Sequence, residues 1–189
     1  MNKLDLLKNS KDRMDKIMLF TAVLTKELQR YGIKPVLVGG SALEFYTQGN
    51  YTTLDIDLVV QGRERVKTVL EKMGFDRGYG EKSWYNEELE LSVEILDDTL
   101  AGSMERIITV NIDEDMVVYV IGIEDLIIDR LNAYKWWKSL SDGEWATAAM
   151  AIHYEDIDFE YMESRSQEEL IEDVYLETVK KAELIRKIK

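Results

Sequence analysis

The stretch from Pro35 to Val59, PVLVGGSALEFYTQGNYTTLDIDLV, constrains the fold of this chain more than any other part of it. Pro35 opens the apolar run Val36-Leu37-Val38, which ends in Gly39-Gly40. A run bounded by proline and glycine suits a buried strand entering a tight turn. Ser41 then opens a helix-periodic stretch, Ala42, Leu43, Phe45 and Tyr46, that stops at Gly49-Asn50. Leu54, Ile56 and Leu58 alternate with Asp55 and Asp57, so a strand here puts its aliphatics on one face and both carboxylates on the other.

Periodicity organises the rest. Leu4, Leu7, Met14, Ile17, Met18, Phe20, Leu24, Leu28 and Tyr31 recur at helical spacing before Gly32, as one long helix or two shorter ones. Arg63 to Met73 reads as a helix ended by Gly74. Ser83 to Tyr85, Glu90 to Leu96, Ile107 to Asn111 and Met116 to Ile121 read as strands. From Glu124 the pattern is helical, over 124–139, 142–152, 156–164 and 167–187, the last started by a capping box from Ser166 to Glu169. Strands and helices mix early and only helices follow. The expectation is an α+β fold, with a core over 1–122 and a helical C-terminal portion over 123–189 packed on it. The terminal amphipathic helix either closes that core or pairs with another copy as a homodimer.

Residue usage then narrows the chemistry. The 189 residues include no Cys and a single His, His153, which excludes disulfides, thiolate zinc sites, a thiol nucleophile and multi-His metal sites. Any metal must be held by oxygen, which favours magnesium, manganese or calcium. The net charge of -13 disfavours general binding to nucleic acid or anionic membrane. That charge is unevenly placed: residues 1–80 carry 13 basic and 10 acidic side chains, whereas residues 81–130 carry 3 and 14. With a charged N-terminus and only short apolar runs, no transmembrane span or signal peptide is expected, and the expected location is the cytoplasm.

Three features of the first half carry candidate chemistry. Gly39-Gly40-Ser41 at a strand-to-helix turn lets backbone approach a phosphate, where the helix N-terminus offers free N–H groups and a favourable dipole. Its alternative is a plain N-cap by Ser41 with Glu44 completing a capping box. Asp55 and Asp57 point the same way, and two like charges on one strand face repel unless something positive lies between them. That favours a cation. Glu94, between Val93 and Ile95 in an apolar strand, either completes the carboxylate set or is an exposed acid of an acidic strand.

Together these residues resemble the signature of the DNA polymerase β-like nucleotidyltransferase superfamily: a Gly-Gly/Ser turn opening a helix, an Asp-x-Asp strand, and a third carboxylate on a later strand. Here the pattern stands as VGGSALEFYTQGNYTTLDIDLVV followed by VEI, most specifically over residues 36–96. More narrowly, the chain resembles small stand-alone bacterial and archaeal nucleotidyltransferases related to abortive-infection toxins, also through IEDLIIDRLNAYKWWKS.

The resemblance implies a mixed sheet flanked by helices, and magnesium-dependent transfer of a nucleoside monophosphate from a triphosphate such as ATP to an acceptor hydroxyl. Asp55, Asp57 and Glu94 would hold two Mg2+ ions, or Mn2+, and Gly39, Gly40 and Ser41 would hold phosphates. Arg130 or Lys135 could also contact phosphate, although Arg130 beside Asp129 equally reads as a structural ion pair. The toxin-like relatives commonly carry Lys where Arg130 stands and an acid in a later helix, for which Asp142 and Glu144 are candidates by position alone. Trp136, Trp137 and Trp145 could stack on a base, but an aromatic stripe at helical spacing is more often core. The acceptor is open among a small molecule, a protein and an RNA end. Two alternatives stay open: a noncatalytic nucleotide-binding or regulatory module, and a toxin-like enzyme acting on transfer RNA.

Overall fold

The computed structural model describes residues 7, 10, 12–78, 80 and 82–188, so Leu4 of the first helical pattern lies outside it. The chain divides into two compact units, one formed by residues 1–100 and 104–121 and the other by residues 101–103 and 122–189.

The first unit holds seven strands and three helices among its described residues. In chain order these are α1 (Arg13–Gln29), β1 (Val36–Leu37), α2 (Gly39–Tyr46), β2 (Asp55–Val59), α3 (Arg63–Lys72), β3 (Asp76–Arg77), β4 (Ser83–Asn86), β5 (Leu91–Asp97), β6 (Ile108–Asp113) and β7 (Met116–Val120). The strands form one sheet in the order β3-β4-β5-β2-β1-β7-β6. β2 pairs with β5 and β1 with β7 in parallel, and the remaining pairs are antiparallel. This is the mixed sheet expected of an α+β fold.

α1 starts where the Asp12 carboxylate caps the Asp15 amide at 2.9 Å. Its Ile17, Phe20, Leu24 and Leu28 are fully buried, and the helix packs against β7, β6, α2 and α3. Phe20 meets Phe75 with ring centroids 5.0 Å apart. On β4, β5 and β2 burial alternates strictly at first, with Trp84, Val93, Ile95, Ile56 and Leu58 in the core. One side of the sheet is therefore apolar, and the polar residues between these face the other way. Leu54 departs from the expected alternation: it lies just before β2 and is 80% exposed.

The second unit contains α4 (Ile123–Trp137), α5 (Leu140–Ile152), α6 (Phe159–Glu168) and α7 (Glu172–Ile188). Gly143 lets α5 approach α4 closely, since a Cβ there would stand 2.7 Å from the Tyr134 ring. The buried Asp125 carboxylate accepts from the Ser103 amide at 2.8 Å and the Tyr161 hydroxyl at 2.7 Å, which anchors residues 101–103 to this unit.

Two expectations fail here. Trp136 and Trp137 are not core: they are 53% and 84% exposed, because the core stripe of α4 runs through Leu126, Ile127 and Leu131. Ser166 does not cap the last helix. It is buried inside α6, its hydroxyl donating to the Glu163 carbonyl at 2.8 Å, and α7 begins only after Leu170 turns through φ +59. The Ile171 amide, bonded to the Ser166 carbonyl at 2.8 Å, closes that break while Ile171 fills the core.

Candidate active site

The site is built by three successive local structures of the first unit. β1 delivers the chain to Gly39, which has φ +55, a conformation that L side chains adopt only under strain. Space demands glycine as well: a Cβ at Gly39 would lie 2.6 Å from Asp57 Oδ2, and one at Gly40 would lie 3.1 Å from Thr53. The turn therefore brings the first amides of α2 against β2. The Gly40 N–H donates to Asp57 Oδ2 at 2.7 Å.

Ser41 is not the helix cap that one reading of its sequence context expects. It sits within α2 rather than capping it, since Val38 is the N-cap. Its fully buried hydroxyl donates to the Asp55 carbonyl at 2.8 Å and accepts from the Asp57 amide at 3.0 Å. It thereby ties α2 to the backbone between the two aspartates. Glu44 likewise completes no capping box. It is buried, and its Oε2 accepts from the Thr53 amide at 3.0 Å, holding the loop whose Thr53 side chain backs Gly40. Its acid in the otherwise apolar helix SALEFY was the sequence signal for that role.

β2 places Asp55 and Asp57 on the polar side of the sheet, both half-buried. β5 runs parallel beside it, and Glu94 is the register partner of Asp57 while Ser92 is that of Asp55. Directly paired residues share a face, so the three carboxylates stand together. The Asp57 carboxyl is pushed up to about 6, chiefly by burial, against the pull of the Gly40 and Ser41 amides and with the charges of Glu94 and Asp55 adding to the rise. A carboxylate so placed gains from a cation. The donor set, all carboxylate oxygen, suits a hard divalent ion. Among the described residues no group of three or more acidic or His side chains is already arranged to hold a metal, and one oxygen of Asp57 is engaged by Gly40.

Arg130 and Lys135 belong to the helical unit, and carboxylates of that unit engage both. Arg130 pairs with Asp142 at 2.7 Å and with Asp129 at 3.7 Å. Lys135 pairs with Asp173 at 2.6 Å and donates to the Leu170 carbonyl at 2.6 Å.

The profile of a family described as "Nucleotidyltransferase of unknown function (DUF6036)" matches residues 12–185. The chain belongs to this family. A search of curated proteins gives no significant match. Among solved structures, this nucleotidyltransferase-family chain is similar to an antigenic nucleotidyltransferase-like protein from Paracoccidioides brasiliensis, at 17% identity and a TM-score of 0.56, covering 75% of this chain and 77% of that one. At that identity the likeness speaks for the fold.

Proposed function

We propose that the chain is a divalent-metal-dependent nucleotidyltransferase that moves a nucleoside monophosphate from a triphosphate, such as ATP, to an acceptor hydroxyl and releases pyrophosphate. One observation carries this reading: Asp55, Asp57 and Glu94 share one face in register, directly beside the Gly39-Gly40 turn. These carboxylates would hold Mg2+ or Mn2+. When bound, such ions supply charge neutralisation at the triphosphate and acidify the attacking hydroxyl.

The remaining roles belong to the chain itself. The glycine turn brings the N-terminal amides of α2 to the site, where the helix dipole favours negative charge and the Gly40 and Ser41 amides face the Asp57 carboxylate. Ser41 positions both aspartates through the β2 backbone, and its buried hydroxyl is a brace rather than a phosphate ligand. Glu94, on β5 on the flank of β2 away from the glycine turn, can orient the attacking hydroxyl and take its proton. Arg130 and Lys135 act as structural cations of the helical unit.

Asp55→Asn combined with Asp57→Asn abolishes Mg2+-dependent pyrophosphate release from a nucleoside triphosphate and leaves the circular dichroism spectrum unchanged. Undiminished turnover in a folded double variant refutes the assignment. A noncatalytic nucleotide-binding module has one observation in its favour: one oxygen of Asp57 already accepts from the Gly40 amide. That reading predicts nucleotide binding with no pyrophosphate release under any acceptor.

A further inference from the structure

The polar side of the sheet does not end at Glu94. Across β5 and β4 the register continues two rows: Asp55 beside Ser92, then Tyr85, then Asp76 at the edge, and Asp57 beside Glu94, then Ser83. Residues paired in this way point to the same side, and neighbouring strands are about 4.8 Å apart. Tyr85 thus stands about 10 Å from Asp55 across the sheet. It is 44% exposed, whereas its chain neighbours Trp84 and Asn86 are buried on the opposite side.

The two flanks of the aspartates differ in kind. On one flank lie β1 and the N-terminus of α2, whose positive dipole end faces the aspartates and whose Gly40 amide donates to Asp57. On the other lie two serine hydroxyls and a tyrosine ring, with carboxylates at both ends of the longer row. None of these row residues is basic. Arg77 is in register with the buried Trp84, on the other side of the sheet, and the Lys82 ammonium donates to the Leu96 carbonyl at 2.8 Å.

We propose that Ser92, Tyr85 and Ser83 form the acceptor subsite, and that the acceptor is a hydroxyl-bearing ring without phosphate, sugar-like and either neutral or cationic. This rests on the transferase reading and extends it to the acceptor class. The tyrosine ring offers an apolar face for a ring's C–H groups and a hydroxyl at its tip. Serine hydroxyls both donate and accept, and carboxylates accept from hydroxyl or ammonium groups. A nucleic-acid strand would require a cationic groove as well as an aromatic platform, and its phosphates would meet like charge on this surface. In the reaction an acceptor hydroxyl oxygen bonds to the α-phosphorus, the bond from that phosphorus to the bridging oxygen breaks, pyrophosphate leaves, and the hydroxyl proton passes to Glu94 or solvent.

The test uses the full chain with Mg2+ and triphosphates labelled at the α-phosphate. A cell extract is divided into protein, RNA and small molecules, and the small molecules are passed through an anion exchanger. Transfer of label to small molecules in the flow-through is expected. Tyr85→Ala and Ser92→Ala, both checked for an unchanged circular dichroism spectrum, should raise the KM for that fraction at least tenfold while nucleotide affinity stays within twofold. Label appearing in RNA, in protein or only in the retained anions overturns the proposal, as does a wild-type KM in both variants. Absence of pyrophosphate release with every fraction overturns the transferase reading itself, and the subsite falls with it.

Discussion

Ser41 shows how one hydroxyl can join a helix to the strand beside it. It satisfies a carbonyl and an amide on either side of Ile56, so its loss strands two backbone groups beside the aspartates. Ser41→Ala should therefore cost about 1–3 kcal/mol in urea unfolding, and a change below that range would mean that water or a neighbour replaces the hydroxyl. Asp57 makes a second claim at this scale. Its folded pKa of about 6 lies above the ordinary 3.8, so its ionised form is the less favoured one in the fold. The stability it contributes is full below pH 3.8 and is lost as pH rises through 6. With a chelator present, Asp57→Asn should raise the melting temperature at pH 7.5, and the gain should vanish by pH 4. An unchanged difference between the two pH values would count against the strained carboxylate. The Asn variant keeps an oxygen that can accept from Gly40, so the comparison isolates the charge.

At the scale of elements, close approaches decide which pairs of helices and strands can meet. Gly143 is the contact through which α5 reaches α4, and Gly143→Ala should cost about 1–3 kcal/mol by forcing a Cβ into the Tyr134 ring. Thermal unfolding of that variant at the wild-type midpoint would show that the helices shift apart freely. Element positions were largely legible: the strands read over 83–85, 90–96, 107–111 and 116–121 appear at 83–86, 91–97, 108–113 and 116–120. The two-residue β3 was not, because so short a strand carries no period and forms only by pairing with β4. The break at Leu170 was missed for a related reason. A leucine at φ +59 leaves no mark in a hydrophobic pattern, and Ser166 with Glu169 imitates a cap.

For the molecule as a whole, charge is the quantity that function must reconcile. A chain at -13 that gathers three carboxylates on one sheet face should gain stability from a divalent ion bound only by the folded state. Millimolar Mg2+ should raise the melting temperature of the wild type and leave that of the Asp55→Asn, Asp57→Asn variant unmoved. An equal rise in both would assign the effect to general screening. Among the described residues no helix is long and apolar enough to cross a membrane.

The amino-acid order by itself determined the strand-turn-helix-strand unit from Pro35 to Val59, since proline, paired glycines and strict alternation act through local backbone sterics and side-chain direction. It also determined that no metal site can be built on thiolates or on several histidines. Only the tertiary structure decided that Glu94 stands beside Asp57 and that Tyr85 and Ser92 extend the same face, because strand order and register are set by burial shared among segments distant in the chain. The same holds for Ser41 and Glu44. Their hydrogen-bonding capacity is visible in the sequence, but which backbone groups they satisfy is fixed only when α2 meets β2 and the loop that precedes it.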